Sequence, residues 1–516
     1  MRVTLLGWLA TALGPALIAS GVLLIATPGW GRGDEPQLRT TTKQLPTDGG
    51  LIPVVLPDPG IPGFTFPEAE HRILRWVRNN DQHSLSKHAW GLWTALNMPT
   101  DQCYEGQRLS VLETWVTPKD LQTLGNHAFS KSGRDPWPLT VLHQFSSLSG
   151  GGAVTGQTPD VLGFVKYDPT AAKHVLRYQL LSLANLTNLL QAGLTEIPPF
   201  PASALVLKIE TFPWSTTRLV GGRYYALPAW PGPPDPPRDF PPDQSHWKQC
   251  IWVDIQENGP GTGTGRVDTV WNADGSSRTP ETTYGLGRFI HFRRSATQAQ
   301  LPNTVLRSPA PQGGTRAAAG DVVIVIGLHV TTKEIANWTW QTFWWTPDPD
   351  NPPPPSSTAI AACRPMQLQG AARHYAVAIG YSMVFPPGEN SGGVYPSPQA
   401  QLRDSPSRVE PRRSNLGRSH VAESVYCYNP YIETFFTSAQ LPASRPGTYL
   451  GRPVDNNVGV QTNCMSCHAQ ACFPIMLLPG GIFPLYTGDQ NIDLYGPQFQ
   501  GKLKVDFLWS INDDAS

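Results

Sequence analysis

The hydrophobic and polar positions of this chain divide it into stretches of different texture. Val3 to Trp30 is uncharged and largely apolar, with Leu5, Leu6, Leu9, Leu13, Leu17, Ile18, Val22, Leu23, Leu24 and Ile25, and it stands behind Arg2. A run above about 20 residues is long enough to span a bilayer and exceeds a usual signal h-region. Gly14-Pro15 and the small residues Ala19, Ser20 and Gly21 suit a cleaved leader equally well. Residues 1–30 are therefore expected to be a signal peptide or an N-terminal membrane anchor. Either role sends the remainder to the periplasm or another extracytoplasmic space. Residues 31–66 follow as a Pro/Gly-rich tether with little periodicity.

Helical spacing comes next. Ile73, Trp76 and Val77 share a face within Pro67 to Asn79, and a second pattern covers Ser84 to Asn97. Asp168-Pro169 reads as a cap and first turn, opening one long helix over Thr170 to Leu190. Beyond Gly193 the texture turns to short strands between turn-rich spacers. These are Ala204 to Thr211, Tyr224 to Trp230, Gln249 to Ile255, Phe289 to Arg293, Asp321 to Val330, Asn337 to Trp345, His374 to Phe385, Ser424 to Tyr428 and Lys502 to Ile511. Pro231 to Gln244, Pro347 to Ser357 and Pro386 to His420 read as surface insertions, the last polar and disordered. The pattern predicts an α+β protein: N-terminal helices, a largely antiparallel β body over 67–454, and a segment at 455–516 packed on that body.

Composition changes the picture in two ways. Lys plus Arg equals Asp plus Glu, and charged residues are only 15% of the 516, so no basic footprint for nucleic acid exists. The 53 prolines, about double the usual share, favour loops and short strands over long helices. The 17 tryptophans suit packing around a flat apolar cofactor, although ordinary cores use them too.

One motif carries chemistry. Cys464-Met465-Ser466-Cys467-His468 is a C-x-x-C-H run, the haem c attachment signature. Two thiols three residues apart on a helical turn can add to the two vinyl groups of one haem. The next residue, His468, then turns back to the iron as proximal ligand. With 7 cysteines and 12 histidines, chance would place such a run in about two of a thousand chains of this length. A zinc site would need four ligands, and no second C-x-x-C or H-x-x-x-H pair supplies them. A redox disulfide between Cys464 and Cys467 lacks a thioredoxin-like βαβ setting. In an oxidising compartment Cys103, Cys250, Cys363 and Cys427 have the number for up to two disulfides, leaving Cys472 odd.

The stretches GLHVTTKEIANWTWQTFWW (Gly327 to Trp345), ARHYA (Ala372 to Ala376), YNPYIE (Tyr428 to Glu433) and TNCMSCHAQA (Thr462 to Ala471) together resemble a family of secreted bacterial cytochrome c proteins with one C-terminal haem motif. The likeness runs from about Glu68 to the end. It implies one covalent haem c and electron transfer with an unidentified redox partner protein.

The sixth iron ligand is left open. Only 48 residues follow His468, and their sole methionine, Met476, stands too near to swing across a haem face. The body offers His329, His374 and Met383. His329 ends an apolar strand and is the candidate distal ligand or pocket residue; a hydrogen-bonded strand-end histidine is the plainer alternative. His374 beside Arg373 suits a haem propionate, and Met383 suits simple core. Two functions fit: an electron carrier with closed iron, or a haem oxidoreductase whose open iron meets peroxide, oxygen or a small substrate. No G-x-S-x-G, H-E-x-x-H or Walker sequence points to other chemistry.

Overall fold

The computed structural model describes residues 50–79, 81–138, 162–213, 219–232, 247–256, 261–295, 319–383, 427–433, 447–449, 452–454, 463–474, 494–513 and 515. The expected leader, the loop at 386–420 and Met476 lie outside the described residues. Among those that are described, no helix is long and apolar enough to cross a membrane.

Two helices come first, α1 (Glu70–Asn79) and α2 (Gln82–Leu96). A hairpin of β1 (Pro99–Tyr104) and β2 (Gln107–Ser110) leads to the short helices α3 (Val111–Thr114) and α4 (Pro118–Leu124). Strand β3 (Leu162–Tyr167) precedes α5 (Pro169–Arg177) and α6 (Leu183–Gln191). The β-rich half then holds β4 (Leu205–Pro213), β5 (Tyr224–Pro228), β6 (Cys250–Asp254), β7 (Thr283–Gly285), β8 (His291–Arg293), β9 (Val322–Thr332) and β10 (Thr339–Trp345). The one-turn helix α7 (Thr358–Ala361) and β11 (Tyr375–Ile379) come before the small hairpin of β12 (Gly447–Tyr449) and β13 (Arg452–Val454). Helix α8 (Cys464–His468), β14 (Cys472–Phe473), β15 (Leu503–Lys504) and α9 (Trp509–Asp513) finish the chain. The protein is α+β, with helices ahead of a sheet body.

The central sheet runs β11-β10-β9-β4-β3, every pairing antiparallel, and β8 joins the other half of β9. Strand alternation gives it two unlike faces. Leu207, Ile209, Leu328, Val330 and Phe343 share one face, and Phe343 stacks on Trp93 of α2 at 4.4 Å. On the other face, register puts Lys208 opposite His329 and His329 opposite Thr342, with Glu210, Thr331 and Trp340 as same-face neighbours. That face is also buried, with Asn429 and Glu433 against Thr342 and His329 and with His468 on Trp340, so it is a polar stripe inside the protein.

The expected long helix over Thr170 to Leu190 is instead two helices. Gln179 takes φ 49°, and Asn185 donates its side-chain amide to the Tyr178 carbonyl, ending α5 and restarting at α6 with Ser182 as cap. Asp168 caps α5 as the sequence predicts, accepting from the Thr170, Ala171 and Leu205 amides. Lys502 to Ile511 is no continuous strand either. It is a two-residue bridge followed by a turn and α9, because Asp506 and Phe507 adopt left-handed backbone. Ser424 to Tyr428 retains only a bridge between Cys427 and Asn463 among its described residues. The described part of the expected tether is packed: Leu51 pairs with Ser132, and Val54 accepts from the Trp115 indole. Pro347 to Ser357 is partly buried, where the Pro354 carbonyl accepts from Trp230 Nε1. All seven cysteines are free thiols, so the disulfides allowed for Cys103, Cys250, Cys363 and Cys427 do not occur.

Beneath the apolar face, Lys166 of β3 is fully buried, its ammonium donating to the Glu113 carbonyl at 2.6 Å. Burial lowers its proton affinity to about 7. Between that value and the ordinary 10.5 the unfolded chain holds more protons than the folded one, so stability climbs with pH across this window. Denaturant midpoints measured from pH 7 to 10 are expected to rise more steeply in the wild type than in Lys166→Met. Equal slopes would remove Lys166 as the cause.

Candidate functional site

Helix α8 consists of the motif itself. Asn463 caps it, its side chain accepting from the Ser466 amide at 3.1 Å and donating to the Ser382 carbonyl at 3.0 Å. One helical turn sets Cys464, Cys467 and His468 on one side, because positions i, i+3 and i+4 are neighbours on a helix surface. Cys464 is buried, while Cys467 and His468 are half-buried. The Cys464 thiol donates to the Cys427 carbonyl at 3.1 Å, with the two sulfurs 3.5 Å apart. Burial pushes the Cys467 thiol up to about 12.

His468 is fixed from two sides. Its ring packs on Trp340 of β10, centroids 4.2 Å apart. Its Nδ1 lies 2.7 Å from the Phe507 carbonyl oxygen. An oxygen acceptor at that distance requires a proton on Nδ1. Burial lowers the ring's proton affinity to about 3, so the imidazole is neutral and Nε2 carries the lone pair. The geometry at Phe507 is uncommon: φ is 49° at Asp506 and 67° at Phe507, and a left-handed bulky residue is an outlier. Asp506 is held by Lys333 at 2.6 Å and by the Phe200 amide at 3.2 Å. Those contacts offset a strain of roughly 1–3 kcal/mol at such positions and turn the Phe507 carbonyl toward His468.

The polar stripe lies beside this unit. His329 is buried, with Nε2 3.0 Å from Glu433 Oε1 and Nδ1 without a hydrogen-bond partner. Glu433 also accepts from the Asn429 amide, and Asn429 is pinned by its side-chain donation to Thr342 Oγ1 and the Phe343 carbonyl, each at 2.9 Å. Gly327 makes that approach feasible, since a Cβ there would stand 2.5 Å from Asn429 Nδ2. A register shift in the β4–β9 pairing between Glu210 and Thr211 lies at the same place, and such irregularities re-aim neighbouring side chains. Lys208 reaches to 3.4 Å from Glu210, whose fully buried carboxylate has no hydrogen-bond partner. Burial raises the Glu210 carboxyl, with Lys208 opposing. Lys208 and His329 are near enough to His468 to depress its proton affinity further.

No family model, no curated protein and no solved structure matches the chain. The functional argument therefore rests on the site's own geometry and on its sequence.

The sequence candidates separate in space. His329 shares a sheet face with Trp340, which carries His468. His374 sits just past the far end of β10, its carbonyl accepting from the Thr346 amide, about 20 Å from Trp340 at roughly 3.3 Å per residue. It is crowded by Arg288, Arg364 and Arg373, and burial first, then those charges, holds it down at about 4. Its expected contact with a cofactor at His468 is not supported by this placement. Met383 is buried core next to Ser382. Lys208, Glu210 and Glu433 were not singled out from the sequence. The signal lay in LVLKIETF, where two charges at alternate positions interrupt an apolar strand.

The residues present fit a covalent haem. Two thiols and an imidazole arise from one turn, the imidazole tautomer leaves Nε2 for a metal, and an orphaned buried nitrogen stands on the adjoining face. Among the described residues no three His, Cys, Asp or Glu side chains gather to hold a bare metal ion. A second buried polar cluster differs in being satisfied. There His88 lies between Tyr381 OH at 2.7 Å and Glu334 at 3.2 Å, and Glu334 also accepts from Thr332 and the Glu68 amide.

Proposed function

We propose that this chain is an exported c-type cytochrome that binds one haem through Cys464 and Cys467 and exchanges electrons through it. The observation that carries the reading is the Phe507 carbonyl on His468 Nδ1, which presets a neutral imidazole with Nε2 as donor. Hydrogen bonding at the far nitrogen of a metal-binding histidine fixes its orientation and strengthens it as a ligand. Bound there, haem would supply a one-electron couple. The chain's own part is to anchor it by two thioethers, to present Nε2, and to exclude water with Trp340 and the β10 face. The resemblance to secreted cytochrome c proteins and the apolar N-terminal stretch support the same reading.

A second reading, an iron open to a small molecule, is favoured by the His329–Glu433 contact. His329 has its Nε2 committed to a carboxylate, so it is better suited to line a pocket than to close the sixth position. The test is a visible spectrum of the dithionite-reduced protein before and after carbon monoxide. A c-type spectrum whose Soret band shifts with the gas is expected. An unmoved band would restore the closed carrier, and a colourless protein would end the haem reading.

A further inference from the structure

Cys427 and Cys464 meet from 37 positions apart, and their sulfurs stand 3.5 Å from one another. A buried cysteine ordinarily acts as a small apolar residue and needs no partner of its own kind. Here the backbone fixes the approach. The Cys464 amide donates to the Cys427 carbonyl at 3.2 Å, and Cys427 forms a parallel bridge with Asn463, the cap of α8. Gly380 gives the Cys427 side chain its place, because a Cβ on that glycine would stand 2.7 Å from Cys427 Cβ. A disulfide joins its sulfurs at about 2.05 Å, so side-chain rotation has roughly 1.5 Å left to close between residues already tied through their backbones. In the oxidising space to which the apolar N-terminal stretch would send the chain, such pairs close and persist.

We propose that Cys427 is the redox partner of Cys464, the two closing to a disulfide that withdraws Cys464 from the motif. Cys464 is 8% exposed and Cys427 is fully buried, so Cys464 meets the oxidant, a small-molecule disulfide. Its sulfur attacks one sulfur of that molecule, the small S–S bond breaks, and one small thiol leaves with the Cys464 proton. Cys427 then attacks the Cys464 sulfur, the protein S–S bond forms, and the second small thiol leaves with the Cys427 proton. Two electrons have passed from the protein thiols to the small disulfide. The cross-link itself is independent of the haem reading. Its consequence rests on that reading: with Cys464 closed, only Cys467 is left to form a thioether, so the pair limits haem attachment.

The test of the cross-link uses the full chain, made without haem by cell-free synthesis and verified as folded by circular dichroism. It is incubated with oxidised glutathione, its free thiols are blocked with N-ethylmaleimide, and it is digested without reduction. Two of the seven thiols are expected to escape blocking, with one peptide pair joined through Cys427 and Cys464 that dithiothreitol separates. The same treatment in guanidinium is expected to scatter the pairing, because only the fold selects it. Seven blocked thiols, or a cross-link confined to Cys464 and Cys467, would overturn the proposal. The consequence is read in chains exported from a host that attaches haem, by intact mass under denaturing conditions. Cys427→Ala is expected to carry haem on a larger fraction of molecules than the wild type. An equal or smaller fraction would overturn the limit on attachment. No haem on either chain would overturn the haem reading and that limit, while the peptide map still decides the cross-link.

Discussion

A chain with Cys464 and Cys467 both changed to alanine is expected to keep its fold and to lose covalent haem entirely. In the proposed reading each thiol would supply one thioether, so either single variant should retain a haem-bearing fraction through the other. Only the double variant removes both. The structural cost is small. In the free protein the Cys464 thiol makes one weak donation to the Cys427 carbonyl at 3.1 Å, and trimming a sulfur to a methyl group there leaves only a minor void. Far-ultraviolet circular dichroism should therefore match the wild type. Intact mass under denaturing conditions is the decisive reading, since it separates attached from merely bound haem. Haem mass persisting in the double variant would sink the central proposal.

Trp93→Ala is expected to give the largest loss of stability of any substitution considered, with the haem-attachment motif unaffected. Trp93 is fully buried, stacks on Phe343 at 4.4 Å, tilts against Tyr375 at 5.4 Å, and donates its indole N–H to the Ala372 carbonyl at 2.9 Å. Truncating such a residue costs about 3–5 kcal/mol through lost burial and the cavity left behind. The orphaned Ala372 carbonyl adds to it. Trp93 clamps α2 to the apolar face of the sheet, whereas the motif helix packs on the opposite face through Trp340. A denaturant titration should show a large fall in midpoint, and folded variant should give the same visible spectrum as wild type. A loss below about 1 kcal/mol would mean that α2 is not what holds the sheet's apolar side.

Both expectations depend on the sheet having two different faces, and the sequence foretold that only in part. The β-branched run at Val322 to Val330 made β9 legible, and the aromatic-polar alternation at its start did the same for β10. The Asp168 cap made the start of α5 legible in the same way, whereas Ser182 acts as a cap only because the helix breaks at Gln179. That break was hidden because Val175, Tyr178 and Leu181 keep an apolar pattern through it, and a single left-handed residue leaves no trace in hydrophobic spacing. Strand β3, LGFVKY, went unread because it lies next to a long Gly-rich stretch and carries a lysine that turns out to be buried. Lys502 to Ile511 looked like a strand for a related reason: its apolar residues are inward-facing in a bridge, a turn and a helix in succession.

The sequence by itself determined the α+β class, the apolar N-terminal stretch and the C-x-x-C-H spacing on which the haem proposal rests. Those follow from local spacing: a motif whose residues meet within one helical turn, and periodicities set by neighbours two to four positions apart. Only the tertiary structure decided which distant groups serve the motif. Phe507 lies 39 residues from His468, and its carbonyl meets the ring because two left-handed residues turn the chain there. Glu433 reaches His329 across 104 positions, and Lys208 faces it through strand register. Register is a global property of the sheet, since slipping a strand by one residue moves every side chain to the other face. No local pattern could assign Lys208, Glu210 and His329 to the side that carries Trp340 and His468.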